Sequence, residues 1–236
     1  MEEVYYAPLE GEQKKLYDAE VQKLRLVLSQ QSDEDFNQNK MIVLSELTKL
    51  RQLCCYPGLL YEGYKKNSAK TDMCLDLIEN AVEGGHKVLV FSQFTGMLDQ
   101  LAGLLGKKKI TFHVLEGSTP RKYRASMVEN FQNKDDVKVF LISLKAGGTG
   151  LNLTAADIVI HYDPWWNTAA ENQASDRAYR IGQKNDVTVY KLIMKDTIEE
   201  RIMELQKEKK ILAEKILSGE GVSKASFSRE ELLKLL

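Results

Sequence analysis

The sequence has little of what marks several large protein classes. Its cysteines are Cys54, Cys55 and Cys74, an odd number with two adjacent, so no disulfide framework can be drawn. Its histidines, His86, His113 and His161, are scattered, and no metal-ligand spacing arises between them and the cysteines. Small buried thiols in a reducing compartment are the expectation. No apolar run approaches the roughly 20 residues that span a bilayer. The first residues, MEEVYYAPLE, have neither the basic nor the apolar region of a signal peptide, which reads as an intracellular chain. Charge of one sign is missing as well. Lys and Arg number 33 and Asp and Glu 34, a net charge of −1, so a wholly basic nucleic-acid coat is excluded and any such contact must come from a local patch.

What is present is an ordinary globular composition, 43% hydrophobic and 28% charged over 236 residues, enough for one large core with attachments. The first stretch, to about Lys70, reads as helices. Leu16, Val21, Leu24 and Leu28 recur near helical spacing, QQSDEDFNQNK breaks the pattern, and Ile42, Leu44, Leu47, Leu50 and Leu53 form a second stripe that stops at Tyr56-Pro57-Gly58. From Lys70 helix and strand alternate. KTDMCLDLIENAVEGG reads as a helix ended by Gly84-Gly85, Val88 to Ser92 as a strand, and Met97 to Gly106 as a helix. ITFHVLEG is a strand, Thr119 to about Phe131 a helix with Pro120 in its first turn, and VKVFLIS, DIVIHYD and DVTVYKLI are further strands. Such alternation predicts an α/β fold with a parallel sheet covered by helices on both faces. After Asp196 a long charged helix carries one apolar stripe, Ile198, Ile202, Leu205, Leu212 and Ile216. Asp196 with Glu199, and Ser228 with Glu231 in the last short helix, have capping-box spacing. The expected division is a helical lead-in at 1–69, the α/β lobe at 70–195 and a C-terminal helix and tail at 196–236.

The most informative stretch is ENQASDRAYRIGQ, Glu171 to Gln183. Thr168 and Glu171 suggest a helix start, and on that helix Gln173, Arg177 and Arg180, at steps of four and three, share one face. Guanidinium forks suit phosphate oxygens and stabilise charge that develops in phosphoryl transfer. A solvated face whose arginines complement the helix dipole satisfies the same spacing, so spacing alone leaves both open. Gly147, Gly148 and Gly150 follow a strand, where glycines admit a ligand close to the backbone; a plain strand-to-helix turn needs only one. Ser92, Gln93, Gly117, Ser118 and Thr119 fall just past strand ends, where open α/β sheets place their sites. Their hydroxyls and amides suit a phosphate, and Ser118 and Thr119 suit helix capping equally. Arg121, Lys122 and Arg124 put cations into a helix's first turn against its dipole, which an anionic partner or solvent explains. Of Trp165 and Trp166, one is expected to pack.

Taken in order, these segments resemble Swi/Snf-type DNA-dependent ATPases of helicase superfamily two. QASDRAYRIGQ resembles their motif VI, VLVFSQFT motif IV, VLEGSTPRKYR motif IVa, and ISLKAGGTGLNLTAADIVIHYDPWWN motif V running into Va. LRQLCCYP resembles the helical segment upstream of this lobe. The resemblance covers nearly the whole chain and implies the second of two RecA-like lobes that close on ATP and track along double-stranded DNA. It implies catalytic roles for Arg177, Arg180 and Gln173. It assigns Gly148, Gly150 and Asn152 to the ATP-facing end of motif V. Toward DNA it places Ser92, Gln93, Gly117, Ser118, Thr119, Arg124, Ser143, Lys145 and Trp166. The helix after Asp196 would brace the lobe against its partner.

The first lobe is not in this sequence. No Gly-x-x-x-x-Gly-Lys followed by Ser or Thr occurs, and neither does an Asp-Glu box for Mg²⁺, so ATP with Mg²⁺ would need an N-terminal lobe. The expectation is a piece of a longer protein that does not hydrolyse ATP alone. The implied partners are that lobe, double-stranded DNA and a DNA-bound protein such as RNA polymerase; no membrane is implied. Tyr179 stands where many family members have histidine, as in some prokaryotic members, which implies a prokaryotic source. The implied site of action is the cytoplasm or nucleoid, or the nucleus in a eukaryote. No bromodomain, chromodomain or SANT-like segment is present. Two other classes compete: a non-catalytic RecA-like interaction module, and a Rossmann-type enzyme. The second is weak, because Gly148-x-Gly150 is followed by Leu153 where the fingerprint needs glycine.

Overall fold

The apolar runs that read as strands lie side by side. The structure, a computed structural model, describes residues 1–144, 146, 151–165, 168–179, 185–217, 229–230, 233 and 236. Strand β2 (Val88–Ser92) sits between β4 (Val139–Ser143) and β5 (Ile158–His161); β3 (Phe112–Leu115) flanks β4, and β6 (Thr188–Met194) flanks β5. A sixth strand, β1 (Glu2–Ala7), adds to β6 and gives the order β1-β6-β5-β2-β4-β3. The ladders are parallel, with Val88 opposite Val139 on one side and Ile158 on the other. Met1 joins β6 in the same sense, donating to Val187 O at 2.8 Å while its carbonyl accepts from Val189 N at 2.9 Å.

Every residue of β2 and β4 is buried, which is why both read as unbroken apolar runs. One face of the sheet contributes Leu89, Phe91, Phe140, Ile142 and Val159 to a core that also takes Phe131 of α6 (Arg121–Asn133) and Ala174 of α7 (Thr168–Ser175). Alternate residues point the other way. There α4 (Ala69–Glu83) and α5 (Thr95–Lys107) lie against β2 and bury Cys74, Leu75, Ile78, Met97, Leu98 and Leu101. Lys87 donates to Phe131 O and Lys134 O, both at 2.7 Å, and so closes the carbonyl end of α6. The chain leaves β2 toward β3 and β4 but leaves β5 toward β6. The C-terminal ends of these neighbours therefore diverge, and open α/β sheets place ligands in that crevice.

The expected α/β sheet is found, but its edge was not foreseen. EEVYYA is too short for a helical stripe, and its Val-Tyr-Tyr content suits a sheet edge, so the first seven residues join the sheet and not the helical lead-in. Contacts divide the chain into Met1–Ala7 with Lys66–Ile193, and Pro8–Lys65 with Met194–Leu236.

The second unit holds α1 (Gly11–Gln30), α2 (Asp33–Gln38), α3 (Lys40–Cys55) and α8 (Ile198–Leu217). The buried stripe of α3 is Val43, Leu47, Leu50 and Leu53. Ile42 and Leu44, read with that stripe from the sequence, are 60% and 41% exposed, because each lies about 100° around the helix from Val43. QQSDEDFNQNK breaks the helix as expected, at Gln31 and Ser32, but it is not all loop. Ser32 and Asp35 form a capping box there, with Asp35 N donating to Ser32 Oγ at 3.1 Å and Ser32 N to Asp35 Oδ2 at 3.2 Å, and α2 follows. The start of α8 also differs. Glu199 N donates to Thr197 Oγ1, Ile198 N donates to the Tyr17 hydroxyl at 2.7 Å, and Glu199 turns back to accept from Met194 N at 2.8 Å. Asp196 sits outside the helix at φ +57, so Asp196 and Glu199 do not form the expected box. The side chains of Leu212 and Ile216, and the Ser228–Glu231 pair, lie outside what is described. Among the described residues no helix is long and apolar enough to cross a membrane.

Candidate functional site

A carboxylate closes the crevice between β2 and β5. Asp163 is 1% exposed and accepts from Ser92 Oγ at 2.5 Å and from Gln93 N at 3.2 Å. Ser92 Oγ accepts in turn from Phe94 N at 3.1 Å, and Ser92 O from Leu144 N at 3.0 Å. At the end of β4, buried Ser143 accepts from Ala146 N at 3.2 Å. Ser92 and Ser143 were expected to face DNA; in the lobe itself their hydroxyls serve the fold. Both are buried and spend their hydroxyls on the turns that leave their strands, where unpaired backbone N–H groups have first claim. Gln93 is half-buried, with its amide held by Asp163. Behind this layer Ser68, Thr71 and Tyr162 form a buried string of hydroxyls at 2.8 and 2.9 Å.

The loop after β3 is held from beneath by Arg124. Its Nε donates to Thr119 O at 2.8 Å, and its Nη2 to Gly117 O at 2.9 Å and Glu116 O at 3.2 Å. A guanidinium fork holds five donors in a fixed plane, which suits gathering several carbonyls of one loop. Arg124 was expected to meet DNA phosphate; these donors instead shape the loop. Ser118 and Thr119 do not cap α6. The N-cap is Pro120, Thr119 Oγ1 accepts from Glu116 N at 3.0 Å, and Ser118 Oγ donates to Glu116 at 3.4 Å. Gly117 and Ser118 are exposed.

The arginine segment departs most from its sequence reading. Helix α7 begins at Thr168 as expected but ends at Ser175. Beyond it Arg177 N bonds Ala174 O at 3.3 Å and Ala178 N bonds Ser175 O at 3.0 Å, each three residues back, so the turn tightens. Gln173 stays exposed while Arg177 is 4% exposed, so the two are not presented together to solvent. The Arg177 carbonyl accepts from Leu153 N at 3.1 Å, which lays exposed Asn152 beside the arginine segment. Gly148, Gly150, Lys145, Trp166 and Arg180 lie outside the described residues.

Beneath α7 runs a network that the sequence did not reveal. Glu171, 2% exposed, accepts from Trp165 N at 3.2 Å and pairs with Lys191 of β6 at 2.8 Å. Lys191 also pairs with Glu2 of β1 at 3.0 Å, and His161 Nε2 of β5 meets Ser175 Oγ at 2.8 Å. Burial alone would raise the Glu171 carboxyl, but His161, Lys191 and the Trp165 amide outweigh it and hold it below the usual range. Burial likewise works against the Lys191 ammonium, yet Glu171 and Glu2 raise it. For His161 burial dominates and pushes the imidazole down to about 4. A lone lysine in the apolar run TVYKLIM was the visible signal; its partner 20 positions away was not. Among the described residues no group of three or more His, Cys, Asp or Glu is placed to hold a metal.

Comparison with known proteins supplies the family. The Helicase conserved C-terminal domain matches residues 69–182, from the start of α4 past α7. The Sulfolobus solfataricus SWI2/SNF2 ATPase C-terminal domain matches with a TM-score of 0.80 and 33% identity, over 100% of this chain and 97% of that one. The chain belongs to the SWI2/SNF2 ATPase family, as a C-terminal lobe. The Sulfolobus solfataricus SWI2/SNF2 ATPase core in complex with dsDNA matches with a TM-score of 0.79 and 35% identity, over 93% of this chain and 46% of that one. An uncharacterized ATP-dependent helicase of Mycoplasma pneumoniae is 42% identical over 98% of this chain and 22% of its own length. The SWI2/SNF2 lobe described here thus spans about a fifth of such a relative.

Two outcomes are expected of this site. Arg124→Ala strips the Thr119 and Gly117 carbonyls of their donor and should cost about 1–2 kcal/mol, read as a lower urea midpoint. Arg124→Lys keeps the charge but not the fork and should not restore stability; a lysine variant as stable as the wild type contradicts the clamp. The second concerns pH. The folded pKa of His161 lies below its ordinary 6.5, so between about 4 and 6.5 the unfolded chain binds the extra proton and stability rises with pH. Acidification through this window should remove stability of the order of 2–3 kcal/mol, and His161→Gln should lose that component. An unchanged pH dependence in the variant would exclude His161 as its source.

Proposed function

We propose that this SWI2/SNF2 lobe is one half of a DNA-dependent ATPase that moves along double-stranded DNA, with ATP bound between it and an N-terminal lobe. The observation that carries the reading is the bond from Leu153 N to Arg177 O, which brings the Asn152 stretch and the arginine segment side by side. The Gly117–Thr119 loop lies elsewhere on the lobe, at the carboxyl end of β3. Nucleotide at one part of the lobe and DNA at another is what a translocating lobe needs.

This chain's share of the chemistry is electrostatic. ATP with Mg²⁺ supplies the phosphoanhydride to be cleaved, and its phosphate cradle and metal ligands would come from the N-terminal lobe. Arg180, three residues past Arg177, is the group we assign to charge that develops on the transferred phosphoryl. Arg177, held inside the fold, would set the course of the segment that delivers it. Gln173 and Asn152, both exposed, would face the nucleotide with Gly148 and Gly150. Exposed Gly117 and Ser118, with Lys145 and Trp166, would meet the DNA backbone, whose phosphates accept from amides and cations alike. Closure of the lobes on nucleotide, and their release after hydrolysis, would advance the DNA. Helix α8 would brace the lobe against its partner. A protein already on the DNA, such as RNA polymerase, is the further partner proposed, in the nucleoid of a prokaryotic cell or the nucleus of a eukaryotic one.

The burial of Arg177 favours a second reading, a non-catalytic interaction module in which that guanidinium serves packing. Variants of the full-length protein separate the two. Arg180→Ala should cut the DNA-stimulated kcat by about 10³-fold with an unchanged melting temperature. Arg177→Ala should lower both. An Arg180→Ala protein with the kcat of the wild type would leave only the interaction module.

A further inference from the structure

Glu171 stands where two parts of the lobe meet. One carboxylate oxygen accepts from the backbone N–H of Trp165, in the loop that follows β5. The other lies 2.8 Å from Lys191 Nζ on β6, and Lys191 is held from its far side by Glu2 of β1. The residue itself sits on α7, four residues before Ser175, which is fixed to His161 of β5, and six before Arg177. Neither end of the carboxylate can shift without disturbing the other. A buried ion pair adds little to stability compared with a well-packed apolar pair of the same shape. What it does supply is a demanding geometry, since a displaced partner leaves a charge unpaired away from water.

We infer that Glu171 is a positioning residue that makes the placement of the arginine segment depend on the tryptophan loop, and so couples duplex DNA to ATP turnover. This rests on the reading above, in which Trp166 faces DNA and the segment after α7 faces nucleotide. DNA seated on the loop moves or steadies the Trp165 amide, the carboxylate follows, and α7 carries the change to Arg177 and onward. Glu171 touches neither ligand in this scheme. Its contribution is to the response to DNA, not to the binding of DNA or to the chemical step.

The test uses the full-length protein and three readouts: basal ATPase rate, duplex affinity, and the factor by which saturating duplex stimulates turnover. Glu171→Gln keeps the size of the side chain and an acceptor for Trp165 N, but presents a donor to Lys191. The double variant Glu171→Gln with Lys191→Met removes the pair without leaving an unmatched charge. Both should lose most of the stimulation, about tenfold, while basal rate and duplex affinity stay within about twofold of the wild type. Melting curves confirm that the double variant is folded. Glu171→Asp, still charged but too short to span both partners, should behave as Glu171→Gln does. Full stimulation in the double variant overturns the proposal. So does a parallel fall in all three readouts, which marks Glu171 as a packing residue. A wild-type protein that duplex does not stimulate overturns the underlying DNA-dependent reading, and this coupling with it.

Discussion

Asp163 has almost no contact with water, yet it lies between the carboxyl ends of the two strands where the sheet reverses its winding. An ionisable carboxyl group in that position is costly unless its oxygens are matched by donors, and Ser92 Oγ and Gln93 N supply them. Much else at that edge depends on the match. The turn out of β2 is set by Ser92, whose carbonyl takes the Leu144 amide and so fixes the start of the turn out of β4. The central strands below are buried and mostly apolar, and Ser92, Gln93 and Asp163 above them satisfy one another. In this SWI2/SNF2 lobe the residues nearest the strand ends therefore build the platform. Of the described candidate site residues, Asn152, Gln173, Gly117 and Ser118 are the ones that stay exposed.

The loops above that platform are held by charges placed behind them. Arg124 gathers carbonyls under the loop after β3, and Glu171 joins the loop after β5 to α7 and to Lys191. In both cases a side chain that reads from the sequence as a candidate for solvent, capping or ligand turns inward and fixes backbone. A buried pair such as Glu171–Lys191 is a poor source of stability but a strict constraint on geometry. A lobe whose work would consist of moving one edge against a partner has use for that constraint, because sites held within a fraction of an ångström respond sharply to small shifts.

The sequence made the frame legible and the contacts at the site much less so. VLVFS, VKVFLIS and DIVIHYD announced central strands because burial on both faces demands unbroken apolar runs. β1 escaped notice because six residues at an edge need no such pattern. On α3 the stripe differs only in its first turn, since Ile42, Val43 and Leu44 are all apolar and only packing chooses among them. The hydroxyls of Ser92 and Ser143 were assigned outward because their position past a strand end is visible, whereas the Asp163 partner of Ser92 is 71 residues away. The shared face of Gln173 and Arg177 presumed a helix that continues; it stops at Ser175, and Arg177 turns into the core. Family resemblance carried what spacing could not, above all the identity of the lobe.

The central claim is that this SWI2/SNF2 lobe holds half of a nucleotide site and that the other half must come from a second lobe. Steady-state ATP hydrolysis, with and without duplex DNA, measured for this chain alone and for the full-length protein, tests it most directly. The two-lobe mechanism predicts no turnover by the chain alone under either condition and duplex-dependent turnover by the full-length protein. Turnover by the chain alone, or a full-length protein indifferent to duplex, would contradict it.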